Sequence, residues 1–189
     1  EVDYTKRGQW LRAAVLGAND GLLSTSSLMM GVGAVRRDSK SMLLSGVAGL
    51  LAGACSMALG EFVSVYSQYD TEMAQLRRDF ETTAIQRTQF EEKKKGLPSP
   101  LQAAVASALS FAVGALIPLV GAAFITNYMV RLGVVLGLTT VALLLFGVVG
   151  ALLGRSPVLK PTLRVLIGGW TAMAITYGLT KAVAGLGLT

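Results

Sequence analysis

Residues 10–35 read WLRAAVLGANDGLLSTSSLMMGVGAV, a stretch whose only charged side chains are Arg12 and Asp20. Crossing the hydrocarbon core of a bilayer takes about 20 predominantly apolar residues as a helix, so this run is long enough to span. Asp20 stands near its middle. A carboxylate there costs roughly 2.5–3.5 kcal/mol on insertion scales and is as a rule functional. The usual function is an ion or proton path.

Four more apolar runs follow, at Met42–Tyr66, Leu101–Ile125, Leu132–Leu153 and Leu163–Leu186. In a chain of 189 residues, 52% hydrophobic and 15% charged, they leave little for anything else; a soluble domain carries about 25% charged residues. The reading is an all-α polytopic membrane protein with five transmembrane helices, one domain over residues 1–189. No signal peptide is expected from the first nine residues, which lack a short apolar core and cleavage site.

The net charge of +6 becomes topogenic once placed on five spans. With the N-terminus cytosolic, Lys6, Arg7, Arg12, Arg77, Arg78, Arg87, Lys93, Lys94, Lys95, Arg155, Lys160 and Arg164 fall on the inner side. Arg36, Arg37, Lys40, Arg131 and Lys181 fall on the other. That is the sense of the positive-inside rule, and it argues for membrane lipids, not nucleic acid, as the partner of the basic residues.

After the second run the helix is expected to continue into the cytosol, because Met73, Leu76, Phe80 and Ala84 recur three or four apart. Residues 67–97 form this short connection, with six acids matched by six bases, and Leu97-Pro98-Ser99-Pro100 ends it. Pro118 should kink the third span. Gly17/Gly21, Gly49/Gly53, Gly133/Gly137 and Gly150/Gly154 are spaced four apart and Gly168-Gly169 are adjacent, a pattern that brings helix backbones close in lipid. Gly17 and Gly21 bracket Asn19-Asp20 and could also leave room for an ion.

No Asp or Glu follows Glu92, so cation chemistry in the membrane must lie in the first two spans. From the rise of a helix, about 1.5 Å per residue, Asp20 in the first span and Met57 in the antiparallel second span reach similar depth. Glu61 lies one turn nearer the cytosol on the face of Met57. Asp20, Met57, Glu61 and Asn19 are therefore the candidate metal ligands. Asn19 serves either as a ligand or as an interhelical hydrogen-bonding group. Carboxylate and amide oxygens with one thioether suit Fe(II) or Mn(II). A carboxylate in a partly dry pore can take up a proton as the metal leaves, since desolvation disfavours its charged form. Met29 and Met30 read as packing, with an exit ligand as the alternative, and Cys55 as a small buried hydrophobe. With no His and no nucleophile–base pair, an enzyme is not expected, and no cofactor is called for.

Residues 11–24 with Met29–Gly33, residues 52–68 and residues 168–176 resemble the vacuolar iron transporter family, most closely its plant nodulin-21-like, or vacuolar-iron-transporter-like, branch. The resemblance implies five transmembrane helices, a homodimer with the ion path at the subunit interface, and export of cytosolic Fe(II), often Mn(II), into the vacuole against protons. The family's first-span Asp maps onto Asp20 and its second-span Met onto Met57. Better-known members carry an acid where this chain has Gly49, and tend to have Gly where it has Glu61. Their cytosolic glutamate-rich domain is also longer. The function expected is thus a divalent-metal/proton exchanger of the vacuolar membrane; the rival is a non-transporting membrane scaffold that uses residues 67–97 for partners.

Overall fold

The computed structural model describes residues 4–82, 87–154 and 157–187. They form six helices: α1 (Tyr4–Val35), α2 (Ser39–Glu81), α3 (Arg87–Lys95), α4 (Pro100–Ala123), α5 (Tyr128–Leu153) and α6 (Leu159–Gly185). Three of them, α2, α4 and α5, are long and apolar enough to cross a membrane. In α1 the apolar run is diluted by Asn19, Asp20 and residues 24–27, and in α6 by Gly, Thr and Lys.

The glycine contacts fix the directions. Going up α1, Gly17 meets Ser107 and Gly21 meets Phe111, so α1 and α4 run parallel. Gly46 meets Met29 and Leu119, whereas Gly53 meets Phe111, so α2 runs against both. Gly150 touches Val15, and Ser26 bonds Thr139 at 2.7 Å, which sets α5 antiparallel to α1. Gly169 packs on Leu23 and Gly31 on Thr176, so α6 is parallel to α1. Helix α1 is thus the central post of the bundle, touching α2, α4, α5 and α6.

Two short connections meet at one end of the bundle. Asp38 caps α2, its carboxylate accepting the Ser41 N–H at 2.8 Å, and Asn127 caps α5 by accepting from Met129 and Val130. Between them lies Arg131, fully buried. Its guanidinium donates to Ile125 O (3.1 Å), Thr126 O (3.4 Å), Arg37 O (2.8 Å) and the Met42 sulfur (3.3 Å). Arg131 is not the exposed flanking charge that a count of bases suggests; it fastens the α1–α2 and α4–α5 connections together.

Helix α2 continues beyond Tyr66 to Glu81, 43 residues or about 65 Å, well over a bilayer's thickness. Among the described residues it ends at Glu81, where Thr82 caps it, its N–H and hydroxyl both reaching Arg78 O. Ala84 lies outside the described residues. The chain then folds back as α3, with Phe90 against Phe80 at 5.1 Å between ring centres. Pro118 is buried within α4, which continues through it unbroken.

The core is methionine-rich near the Arg131 end, where Met29, Met30 and Met42 pack with Leu119, Ala122 and Val135. Met29 and Met30 are packing residues. Not every spaced glycine packs: Gly133, Gly137 and Gly168 have nothing within 4 Å of where a Cβ would stand. Cys55 is also on the outside of α2, not buried.

Candidate functional site

Asp20 sits where α1, α2 and α4 crowd together. A Cβ at Gly21 would overlap the Phe111 carbonyl, and one at Gly114 would overlap the Ala18 carbonyl. One at Gly17 would stand 3.0 Å from Ser107 O. The glycines around Asp20 therefore admit the backbone of α4, and the room the sequence leaves open for an ion beside them is filled.

The carboxylate itself points elsewhere. Asp20 belongs to the stripe Leu16, Asp20, Ser24, Leu28, spaced four apart on one face of α1. Leu16 and Ser24 are exposed, Asp20 is half-buried, and Leu28 borders α2 at Gly49. Asp20 thus opens on the seam between α1 and α2. Ser24 Oγ donates to its Oδ1 at 2.8 Å, fixing the carboxylate and leaving lone pairs free. Ser24 stands four residues after Asp20, so its hydroxyl stacks one turn along the same face of the helix.

Beside it the Asn19 Oδ1 is buried with no hydrogen-bond partner among the described residues, as are the hydroxyls of Thr25, Ser27 and Ser107. Such groups are rare in folded proteins and call for a partner. Asn19 lies on the face of α1 that also carries Leu23 and Ser26, the residues meeting α5 and α6, so it does not share Asp20's face.

On α2, Met42, Gly46, Gly49, Gly53, Met57 and Glu61 follow each other at three- and four-residue steps; Gly46, Gly49 and Gly53 meet α1 or α4, and Met57 and Glu61, both part-buried, continue the same face. Met57 and Glu61 therefore lie on the stripe of α2 turned toward the bundle. Phe111 sets the level: its backbone abuts Gly21 and its ring fills the space at Gly53. Met57 is one turn beyond that level, about 6 Å along the axis, and Glu61 one turn further. Among the described residues no three His, Cys, Asp or Glu side chains converge, so one chain does not gather Asp20 and Glu61 into a closed cage. No ion pair is formed by either acid among the described residues; the Arg12 side chain lies outside them.

This arrangement, long apolar helices packed through glycine around a partly open, hydroxyl-oriented carboxylate, defines a polytopic helical membrane protein. The VIT family model matches residues 11–94 and 79–181. Vacuolar iron transporter homolog 4 of Arabidopsis thaliana is 61% identical over 98% of this chain and 90% of its own length. Vacuolar iron transporter homolog 5 of Oryza sativa subsp. japonica is 56% identical over 100% and 87%, and VIT-like transporter 1b of Glycine max 57% over 95% and 79%. The chain belongs to the VIT family, a family of transporters.

Proposed function

We propose that this protein is a multi-pass protein of the vacuolar membrane that moves Fe(II), and Mn(II) as a second substrate, from the cytosol into the vacuole in exchange for protons. The observation that carries the reading is Asp20: a carboxylate midway along α1, held among the described residues by Ser24 and open on the α1–α2 seam. Its relatives are named for vacuolar iron transport.

In this reading α1 and α6 also span, giving five crossings over residues 1–189. Their lengths, 32 and 27 residues, are sufficient, and both run in the same direction as α4. The N-terminus and the connection at residues 67–97 are cytosolic, as the positions of the basic residues support. Asp20 and Met57 ligate the metal, with Asn19 as a further oxygen donor, and Glu61 at the cytosolic entrance ligates or carries protons. The protein acts as a homodimer. Along the α1–α2 side a single chain exposes Leu44, Leu51 and Leu59, and a two-fold axis there supplies a second Asp20 and Met57 where one chain lacks a full ligand set.

Proteoliposomes holding the full chain, a metal-sensitive dye and a pH dye test this. Fe(II) and Mn(II) should enter with opposite proton movement, and Asp20→Ala should abolish entry while the protein still reaches the bilayer. Wild-type flux by that variant would remove the central assignment. Absence of flux in the wild type would favour a scaffold instead.

A further inference from the structure

The side of the bundle away from α2 carries a groove of about 350 Å³ between α5 and α6, lined by Met30, Leu136, Trp170, Met173, Ala174 and Tyr177 among others. None of its lining groups is charged, and the one indole N–H is occupied: Trp170 Nε1 donates to Thr140 Oγ1 at 3.0 Å. The floor of the groove is therefore dry. Its mouth is basic. The Lys181 ammonium stands 5.9 Å from the centre of the Tyr177 ring, Tyr128 is beside Tyr177, and the Arg37 guanidinium lies 5.6 Å from the centre of the Tyr128 ring. Lys181 and Arg37 are both exposed.

The dimensions select the occupant. From Lys181 down α6 to Trp170 is eleven residues, about 16 Å at the rise of a helix, and half of a hydrocarbon core of about 30 Å is one leaflet. An apolar trough one leaflet deep, with ammonium and guanidinium groups at its rim, complements a molecule with an anionic head and an acyl tail. We propose that the α5–α6 groove is a binding site for one anionic phospholipid, its phosphate at Lys181 and Arg37 and one acyl chain lying along Tyr177, Met173 and Trp170. The site is separate from Asp20 and independent of what the protein transports.

Trp170 is a built-in reporter. The chain has two tryptophans, so Trp10→Phe leaves Trp170 alone. The full-length variant is reconstituted in phosphatidylcholine bilayers containing increasing fractions of a lipid brominated on its acyl chains, either phosphatidylglycerol or phosphatidylcholine. Brominated phosphatidylglycerol should half-quench Trp170 at about fivefold lower mole fraction, the scale of one basic contact with an anionic lipid. Lys181→Gln should narrow the gap between the two curves, and Lys181→Gln with Arg37→Gln should close it. Ala174→Phe, which narrows the groove, should weaken quenching by both lipids. Coincident curves in the Trp10→Phe protein itself would overturn the proposal, as would a preference that survives Lys181→Gln combined with Arg37→Gln. Absence of quenching by either lipid would mean that a protein surface covers the groove, and would overturn it as well.

Discussion

Arg131 reaches across 94 residues of chain to hydrogen-bond the carbonyl oxygen of Arg37 at 2.8 Å. A cation with no exposed surface is held here by three backbone carbonyls and a thioether, so the charge is solvated by the two connections it joins. Whatever ordered the α1–α2 turn therefore also ordered the start of α5.

Removing this side chain should be costly. Arg131→Ala takes the donor from three part-buried carbonyls and should destabilise the fold by about 3 kcal/mol, or roughly 6–12 °C in the transition temperature of a chain of this size. Arg131→Lys should recover little, because one ammonium on a flexible stem cannot serve both connections. Thermal unfolding of the full chain in detergent reads both; a shift under 2 °C for the alanine variant would refute the role.

Glycines with the same spacing should differ sharply. Gly21→Ala drives a methyl into the Phe111 backbone and should cost about 1–3 kcal/mol through overpacking. Gly137→Ala meets nothing within 4 Å and should be neutral or stabilising by up to about 1 kcal/mol from helix propensity. Equal effects in the same thermal assay would mean that the α1–α4 contact is not as close as described.

If Asp20 ligates the metal as proposed, Ser24, which donates to its Oδ1, is a positioning residue. Partners that orient a metal ligand typically change affinity by 10–100-fold, so Ser24→Ala should raise the half-saturating Fe(II) concentration about tenfold. Ser24→Thr, which keeps the hydroxyl, should restore it. Transport assays in liposomes separate this from misfolding, which would lower maximal flux in both variants.

Asp38 makes a pH prediction. The Ser41 side chain and its backbone N–H hold the Asp38 carboxyl below its ordinary value of 3.8. A carboxyl lowered on folding stabilises the fold fully above its unfolded value, and the benefit fades as pH falls through the lowered one. Asp38→Asn should therefore lower the transition temperature equally at pH 7 and pH 5. The difference between the two proteins should shrink only below about pH 4. A gap that closes between pH 7 and pH 5 would show that the cap is not what Asp38 contributes.

Much of the bundle is legible in the residue order. The five apolar runs coincide with α1, most of α2, α4, α5 and α6, because hydropathy reports what each residue prefers as solvent. The continuation of α2 past Tyr66 is visible too, in the spacing of Met73, Leu76 and Phe80. What hydropathy cannot carry is the identity of a neighbour. Gly21 and Gly137 look alike until Phe111 is found against one and open space beside the other. Arg131 reads as a flanking charge because its partners are carbonyls, which every residue has. The α2–α3 break escapes for a similar reason, since its stabilising contact is between Phe80 and Phe90 on two separate helices. At the candidate site, Asp20 is conspicuous by its surroundings, whereas the direction it faces depends on where α2 and α4 lie.

The close glycine contacts between α1 and α4 have a mechanical consequence. With Gly17, Gly21 and Gly114 in backbone contact, these two helices behave as a single rigid beam at the level of Asp20. Any rocking that uncovers the carboxylate first on one side and then on the other has to swing both together, or else leave them still and tilt α2, whose border with α1 is made by pliable Leu28 and Met29 side chains. The second motion displaces less mass. Because α2 protrudes as a long lever, a small tilt within the bilayer would become a large sweep at its aqueous tip, where a spectroscopic label could see it.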